Sequence, residues 1–193
     1  SALQWNLMLP LLCAGVVTGS YQDGAESFMR KLLVFITLLC SLNAAAMPEN
    51  VKLVGQGQFS YLFWDLYQAK FYTSDGRWTS YQQSAPLVLK LTYQRDISKA
   101  DFIEATVDQW EHLEGKVTAQ HKDWAKQLDS LWTDVKKDDQ LSCVLMADST
   151  VQFYFNDKLL GAVTDPKFGP AFLDIWLSEK TSAPKLRKQL LQI

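Results

Sequence analysis

The sequence has little of what catalytic and nucleic-acid-binding signatures are made from. It holds two histidines, His112 and His121, and their separation of nine residues is not that of a metal pair on one helical face. Each is expected to be a surface helix residue. Of three cysteines, Cys13 and Cys40 lie in an N-terminal region that reads as targeting sequence. Cys143 then stands alone in the rest of the chain, which leaves no intramolecular disulfide there and suits a small buried apolar residue in a strand. There is no glycine-rich phosphate loop, no G-x-S-x-G and no C-x-x-C. Nineteen Lys and Arg stand against 21 Asp and Glu, a formal net charge of −2 with no basic stripe, which argues against a nucleic-acid partner. No linker of low complexity and no repeat occurs, and after Leu42 no apolar run is long enough to span a bilayer. No metal and no cofactor is expected.

The N-terminal region is organised differently. Trp5 to Gly19 is an apolar run interrupted by Asn6 and Pro10, shorter than the roughly 20 residues of a membrane helix. Met29, Arg30 and Lys31 then precede an apolar core from Leu32 to Leu42 and the small residues Ala44, Ala45 and Ala46. These are the three regions of a secretory signal peptide, with cleavage expected after Ala46. Leu38 and Leu39, just before Cys40, are too large for lipoprotein processing. The expected division is an upstream or membrane-associated extension over 1–28, a signal peptide over 29–46 and one domain over 47–193. The domain is expected in the periplasm, or at a membrane if the N-terminal segment is retained.

What the chain does have is aromatic residues, 12% of the total, and they concentrate in Val54 to Tyr72. Read as one strand, this stretch carries Phe59, Tyr61, Phe63, Asp65, Tyr67, Ala69 and Phe71 on one face and Ser60, Leu62, Trp64, Leu66, Gln68, Lys70 and Tyr72 on the other. Both rows are apolar through the middle, so the strand is expected to be central and covered on both sides. Asp65 is the exception. It either marks a bend near solvent or is a functional carboxylate in an aromatic pocket.

Downstream, Thr73 to Gly76 predicts a turn and Pro86 to Tyr93 a strand. Ser98 is an expected N-cap for a helix with Phe102, Ile103, Thr106, Val107, Trp110 and Leu113 inward. A second helix is expected to bury Trp124, Leu128, Leu131, Trp132 and Val135. Strands over Gln140–Ala147, Val151–Phe155 and Lys158–Thr164 follow, joined by Asp148-Ser149 and Asn156-Asp157. A helix begins at Asp165-Pro166 or Gly169-Pro170, and a last one is capped near Ser182. The order predicts an α+β antiparallel sheet with helices over one face.

The GQGQ-aromatic strand ending in LYQAKFY, the helix after LTYQRDIS, and the block NDKLLGAVTDPKFGPAFLDIWLSEKTSAPKLRKQLL resemble the chalcone isomerase-like superfamily, in its bacterial exported branch, over about residues 50 to 191. The resemblance implies an open-faced β-sandwich, an antiparallel sheet with a layer of helices and a ligand cleft between them. It also implies where the plant enzymes' Arg, Thr, Tyr and Asn would fall, at Phe59, Leu62, Phe102 and Gln109. Three of those four polar groups are apolar here, and an enolate would lose the donors that stabilise its developing charge.

Two functions follow as expectations. One is a non-catalytic protein that binds an apolar small molecule or fatty acid, as some superfamily members do, with Phe59, Tyr61, Phe63, Tyr67 and Phe102 as ligand contacts. The alternative is an isomerase or intramolecular lyase with a rearranged site built from Asp65, Tyr67, Tyr93 and Gln109. A bland third possibility is a periplasmic structural protein whose aromatics are core.

Overall fold

The computed structural model describes residues 47–193. The extension and signal peptide expected over 1–28 and 29–46 lie outside the described residues. Residues 54–72, expected as one central strand, instead fold back on themselves. Strand β1 (Lys52–Tyr61) pairs antiparallel with β2 (Trp64–Thr73), and Tyr61 faces Trp64 across a two-residue turn. Leu62 takes φ 55°, a left-handed conformation that a bulky residue seldom adopts and that no glycine or asparagine announces in the sequence. The apolar middle of the stretch is therefore a hairpin tip, not a sheet centre, and Phe63 is 96% exposed.

The chain continues through β3 (Leu87–Tyr93), α1 (Lys99–Glu114), α2 (Ala119–Leu131), β4 (Gln140–Leu145), β5 (Val151–Phe155), β6 (Lys158–Val163), α3 (Phe168–Leu177) and α4 (Pro184–Leu191). The six strands lie in sequence order in one sheet, each antiparallel to its neighbours. Alternation decides what each face carries. Phe71, Leu89, Cys143 and Phe153 stand opposite one another across four strands and are buried beneath the helices. On the other face, Val88, Val144 and Tyr154 form a small apolar cluster with Val51 and Met47, beside Lys70 and Lys90. One face is closed by helices and the other is largely open, as expected of an α+β open-faced sandwich.

Local chemistry sets the helix ends. The Ser98 hydroxyl accepts from the Asp101 amide at 3.1 Å, and Gly115 closes α1 at φ 76°. Thr118 opens α2 with a reciprocal cap, its hydroxyl accepting from the His121 amide while His121 Nδ1 accepts from the Thr118 amide, both at 3.2 Å. His121 is not a surface residue. It is 2% exposed and stacks on Trp110, with ring centroids 5.1 Å apart. Helix α2 also ends earlier than its apolar stripe suggests. Trp132 and Val135 lie beyond it, buried, because Val135 exchanges backbone hydrogen bonds with Ile97 at 3.0 Å in each direction. Ser182 does not cap α4, since its hydroxyl donates to Gln109 Oε1 at 2.6 Å.

The glycine pair of GQG has a packing cause. A Cβ on Gly55 would lie 2.6 Å from the Leu190 carbonyl oxygen, and one on Gly57 would lie 2.8 Å from Leu186 Cδ1. Only glycine lets α4 settle this closely on β1. Among the described residues no helix is long and apolar enough to cross a membrane.

Candidate functional site

A cleft of about 410 Å³ opens between the inner face of the sheet and α1, within the size range of small-molecule sites. Its sheet wall starts with a cross-strand row, Phe59 opposite Tyr67 and Tyr67 opposite Tyr93. The first pair is stacked at 5.1 Å between centroids and the second is edge-on at 5.8 Å. Helix α1 presents Phe102, Ala105, Thr106 and Gln109 at its three-four spacing. The back wall is Trp132, Phe172 and Trp176. A smaller void of about 10 Å³ continues inward past Leu91, Leu141, Phe172 and Trp176 toward Cys143. Cys143 is buried there and unpaired, and desolvation raises its thiol pKa, so it is an inert wall residue.

Few polar atoms reach this space. Trp176 Nε1 donates to Tyr67 Oη at 3.0 Å. Part of the Tyr67 ring borders the cleft, but its hydroxyl lies deep, and burial pushes its pKa up, only partly offset by that hydrogen bond. Burial likewise holds Tyr93 well above the ordinary tyrosine value, with the nearby Tyr67 adding to it. Both phenols are therefore neutral donors at physiological pH. The Thr106 hydroxyl is engaged within α1, donating to the Phe102 carbonyl at 2.8 Å. Among the described residues, two buried polar side-chain atoms have no hydrogen-bond partner, Tyr93 Oη and Trp132 Nε1. Both residues line this cleft.

Charge is confined to the rim. Arg95, Asp96 and Asp101 stand there, all exposed. The Arg95 guanidinium sits 5.0 Å over the Trp64 ring, linking the rim to the tip of the β1–β2 hairpin. Asp96 accepts from the Lys137 amide at 2.9 Å. Among the described residues no group of three metal-ligating side chains comes together.

The residues singled out in the sequence thus divide. Phe59, Tyr67, Tyr93, Phe102 and Gln109 are brought together around the cleft, whereas Tyr61, Leu62 and Phe63 stand out on the hairpin, away from it. Asp65 is also outside. It is exposed and accepts from the Ser60 hydroxyl across the hairpin at 2.5 Å, so it is the carboxylate of a bend and not of an aromatic pocket. Trp132, Trp176 and Arg95 were not readable as cleft residues.

The sequence pattern described as chalcone isomerase-like matches residues 42–192. The chain belongs to the chalcone isomerase-like family. A protein of Haemophilus influenzae of unassigned function is 24% identical over 163 residues, covering 84% of this chain and 78% of that one. The crystal structure of a fatty-acid binding protein of Arabidopsis thaliana shares the fold, with a TM-score of 0.59 at 11% identity, covering 76% of this chain and 89% of the other. Of the four positions that the resemblance matches to polar groups of the plant enzymes, Phe59, Phe102 and Gln109 line the cleft and Leu62 does not. The lining residue on β2 nearest to it is Leu66, which is also apolar.

Proposed function

We propose that this protein binds an apolar, lipid-like small molecule in the cleft between sheet and α1 without transforming it. The observation that carries the reading is the cleft itself, about 410 Å³ walled by Phe59, Phe102, Trp132, Phe172 and Trp176, with its charged lining residues at the exposed rim. Apolar area removed from water is the driving force such a site offers, at about 25 cal/mol per Å² before the costs of association. The Arabidopsis thaliana fatty-acid binding protein that shares the fold supports the same reading. Against the isomerase alternative stands the chemistry of the lining. Tyr67 and Tyr93 are held protonated, and among the described residues the one cation lining the cleft, Arg95, is at its exposed rim, so a developing enolate meets no buried positive charge from them. Retention of an endogenous molecule tests the proposal. Native mass spectrometry of domain 47–193, purified without detergent, should show an adduct that organic extraction releases as a lipid-like compound. Displacement of a fluorescent apolar probe by such compounds should follow, and a domain that takes up no apolar compound would overturn the reading.

We further propose that the domain works in the periplasm, released from the signal peptide over 29–46 by cleavage after Ala46. N-terminal sequencing of periplasmic material should begin at Met47. An intact N-terminus found only in membranes would favour the anchored alternative.

A further inference from the structure

We propose that the tip of the β1–β2 hairpin is a membrane-docking element, which seats Leu62 and Phe63 in the interface of a lipid bilayer and brings the mouth of the cleft to its surface. Tyr61, Leu62, Phe63 and Trp64 follow one another at the end of the hairpin and are exposed by 63%, 76%, 96% and 60%. Single exposed apolar side chains are ordinary, but four in succession form a patch that water disfavours. The turn itself does not require them. Leu62 holds φ 55°, where asparagine or glycine would sit with less strain, so neither hairpin formation nor packing accounts for the Leu-Phe pair.

The order of polarity along the hairpin points to a bilayer rather than to a pocket on another protein. Leu62 and Phe63 occupy the apex. Tyr61 and Trp64, directly opposite one another behind it, are the amphipathic aromatic types that favour the headgroup level. One step further back polarity resumes, with the Ser60 hydroxyl donating to Asp65 at 2.5 Å and the Arg95 guanidinium 5.0 Å over Trp64. At about 3.3 Å per residue the two apolar levels reach roughly 7 Å. That depth lies within the zone that interfacial elements occupy, where water and headgroups still satisfy the backbone of the turn. The same strands then run into the cleft, since Phe59 on β1 and Leu66 and Tyr67 on β2 line it and Arg95 belongs to its rim. An inserted tip therefore holds the opening beside the lipid. Exchange of an apolar ligand between bilayer and cleft is the use this serves, and that use rests on the lipid-binding reading, whereas the insertion does not. Arg95 is accompanied by Asp65, Asp96 and Asp101, all exposed, so the attraction is apolar and does not require an anionic surface.

Flotation of the domain over 47–193, which holds every described strand and helix, with vesicles of phosphatidylcholine alone tests the proposal. The domain is expected to float with the vesicles equally in low and high salt. Phe63→Glu should weaken the partition by about tenfold or more. Leu62→Asn suits the left-handed turn, so its weaker vesicle binding would not arise from unfolding, and circular dichroism verifies both variants. Leu159→Glu, an exposed apolar position on β6 at the opposite edge of the sheet, should float as the unaltered domain does. A domain that stays in solution at every lipid concentration would overturn the proposal, as would binding confined to anionic vesicles and lost in high salt. An equal loss in Leu159→Glu would overturn it by showing general adhesion. A dimer that forms with rising concentration and is abolished by Phe63→Glu, without flotation, would assign the tip to a second copy of the chain instead. Displacement of the apolar probe in solution reads the cleft separately, so failed flotation leaves the lipid-binding reading standing.

Discussion

Trp176 on α3 donates its indole N–H to Tyr67 Oη on β2 at 3.0 Å, tying the helical layer to the sheet at the inner end of the cleft. The bond joins residues 109 positions apart, and it fixes which way the Tyr67 hydroxyl faces. Trp176→Ala should therefore cost about 3–5 kcal/mol through cavity formation, whereas Trp176→Phe should cost only about 1–2 kcal/mol, the lost hydrogen bond and a smaller void. Urea denaturation measures both. Equal losses would mean that the hydrogen bond, and not the packing, dominates.

The histidines should behave oppositely to one another. His121 stacks on Trp110, caps α2 with Thr118 and lies 3.3 Å from Glu114, so His121→Ala removes a cap and leaves a hole, costing about 2–3 kcal/mol. His112 is exposed, and its ring nitrogen Nε2 lies 3.0 Å from the Lys180 carbonyl oxygen. Its replacement by Ala should stay within about 1 kcal/mol. Denaturation midpoints of the two variants should differ clearly, and coincident curves would contradict the buried position of His121.

That His121 is inward was in fact readable. His121, Trp124 and Leu128 recur at helical spacing, and Thr118 stands three residues before His121, as a cap does. Treating the ring as polar by default hid it. The hairpin at Leu62-Phe63 was not readable in the same way, because neither residue is a turn former and the alternation runs straight through it. The three-strand meander over β4 to β6, the Asn156-Asp157 turn and the start of α1 were legible because local backbone chemistry sets them, as the positive φ of Asn156 and Asp157 shows. The unpartnered donors of Tyr93 and Trp132 were beyond reach. A missing partner is a property of packing between β3, α1 and the segment after α2, and no single stretch of sequence encodes it.

Filling the cleft should abolish binding without unfolding the domain. Ala105 is an exposed helical position that faces the opening, so Ala105→Trp adds bulk where there is room. Phe63→Glu, on the hairpin and outside the cleft, should leave probe binding in solution as it was. Circular dichroism confirms folding and probe displacement reads binding. Undiminished binding in Ala105→Trp would place the ligand elsewhere.

Acid stability should reflect three carboxylates. Asp165 is held below the usual aspartate range mainly by the Lys167 amide, with help from Trp124 and Gln120 against some desolvation. Asp139 is lowered chiefly by the Asn156 side chain and then the Lys136 amide, and Asp148 by the Thr150 amide. A depressed folded-state pKa contributes stability that is present above the unfolded value and lost as pH falls through the folded one. Stability should hold above pH of about 4 and fall below it. Asp165→Asn should flatten that fall, and an unchanged slope would assign the acid sensitivity to other groups.

The last expectation concerns catalysis. Closing a chalcone onto its enone needs stabilisation of charge that develops on oxygen, and preorganised donors or cations can each contribute several kcal/mol. Here Phe59 and Phe102 occupy positions matched to an Arg and a Tyr of the enzymes, and Arg95 stands at the exposed rim over Trp64. Gln109, at the matched Asn, already accepts from Ser182. Tyr67 and Tyr93 remain protonated through the pH range in which a substrate phenol ionises, so neither serves as a base there. Chalcone absorbance should therefore decay in the presence of the domain at the rate seen in buffer alone. Acceleration far above background that is lost in Tyr67→Phe or Gln109→Ala would replace the binding function with an isomerase built from a different set of groups.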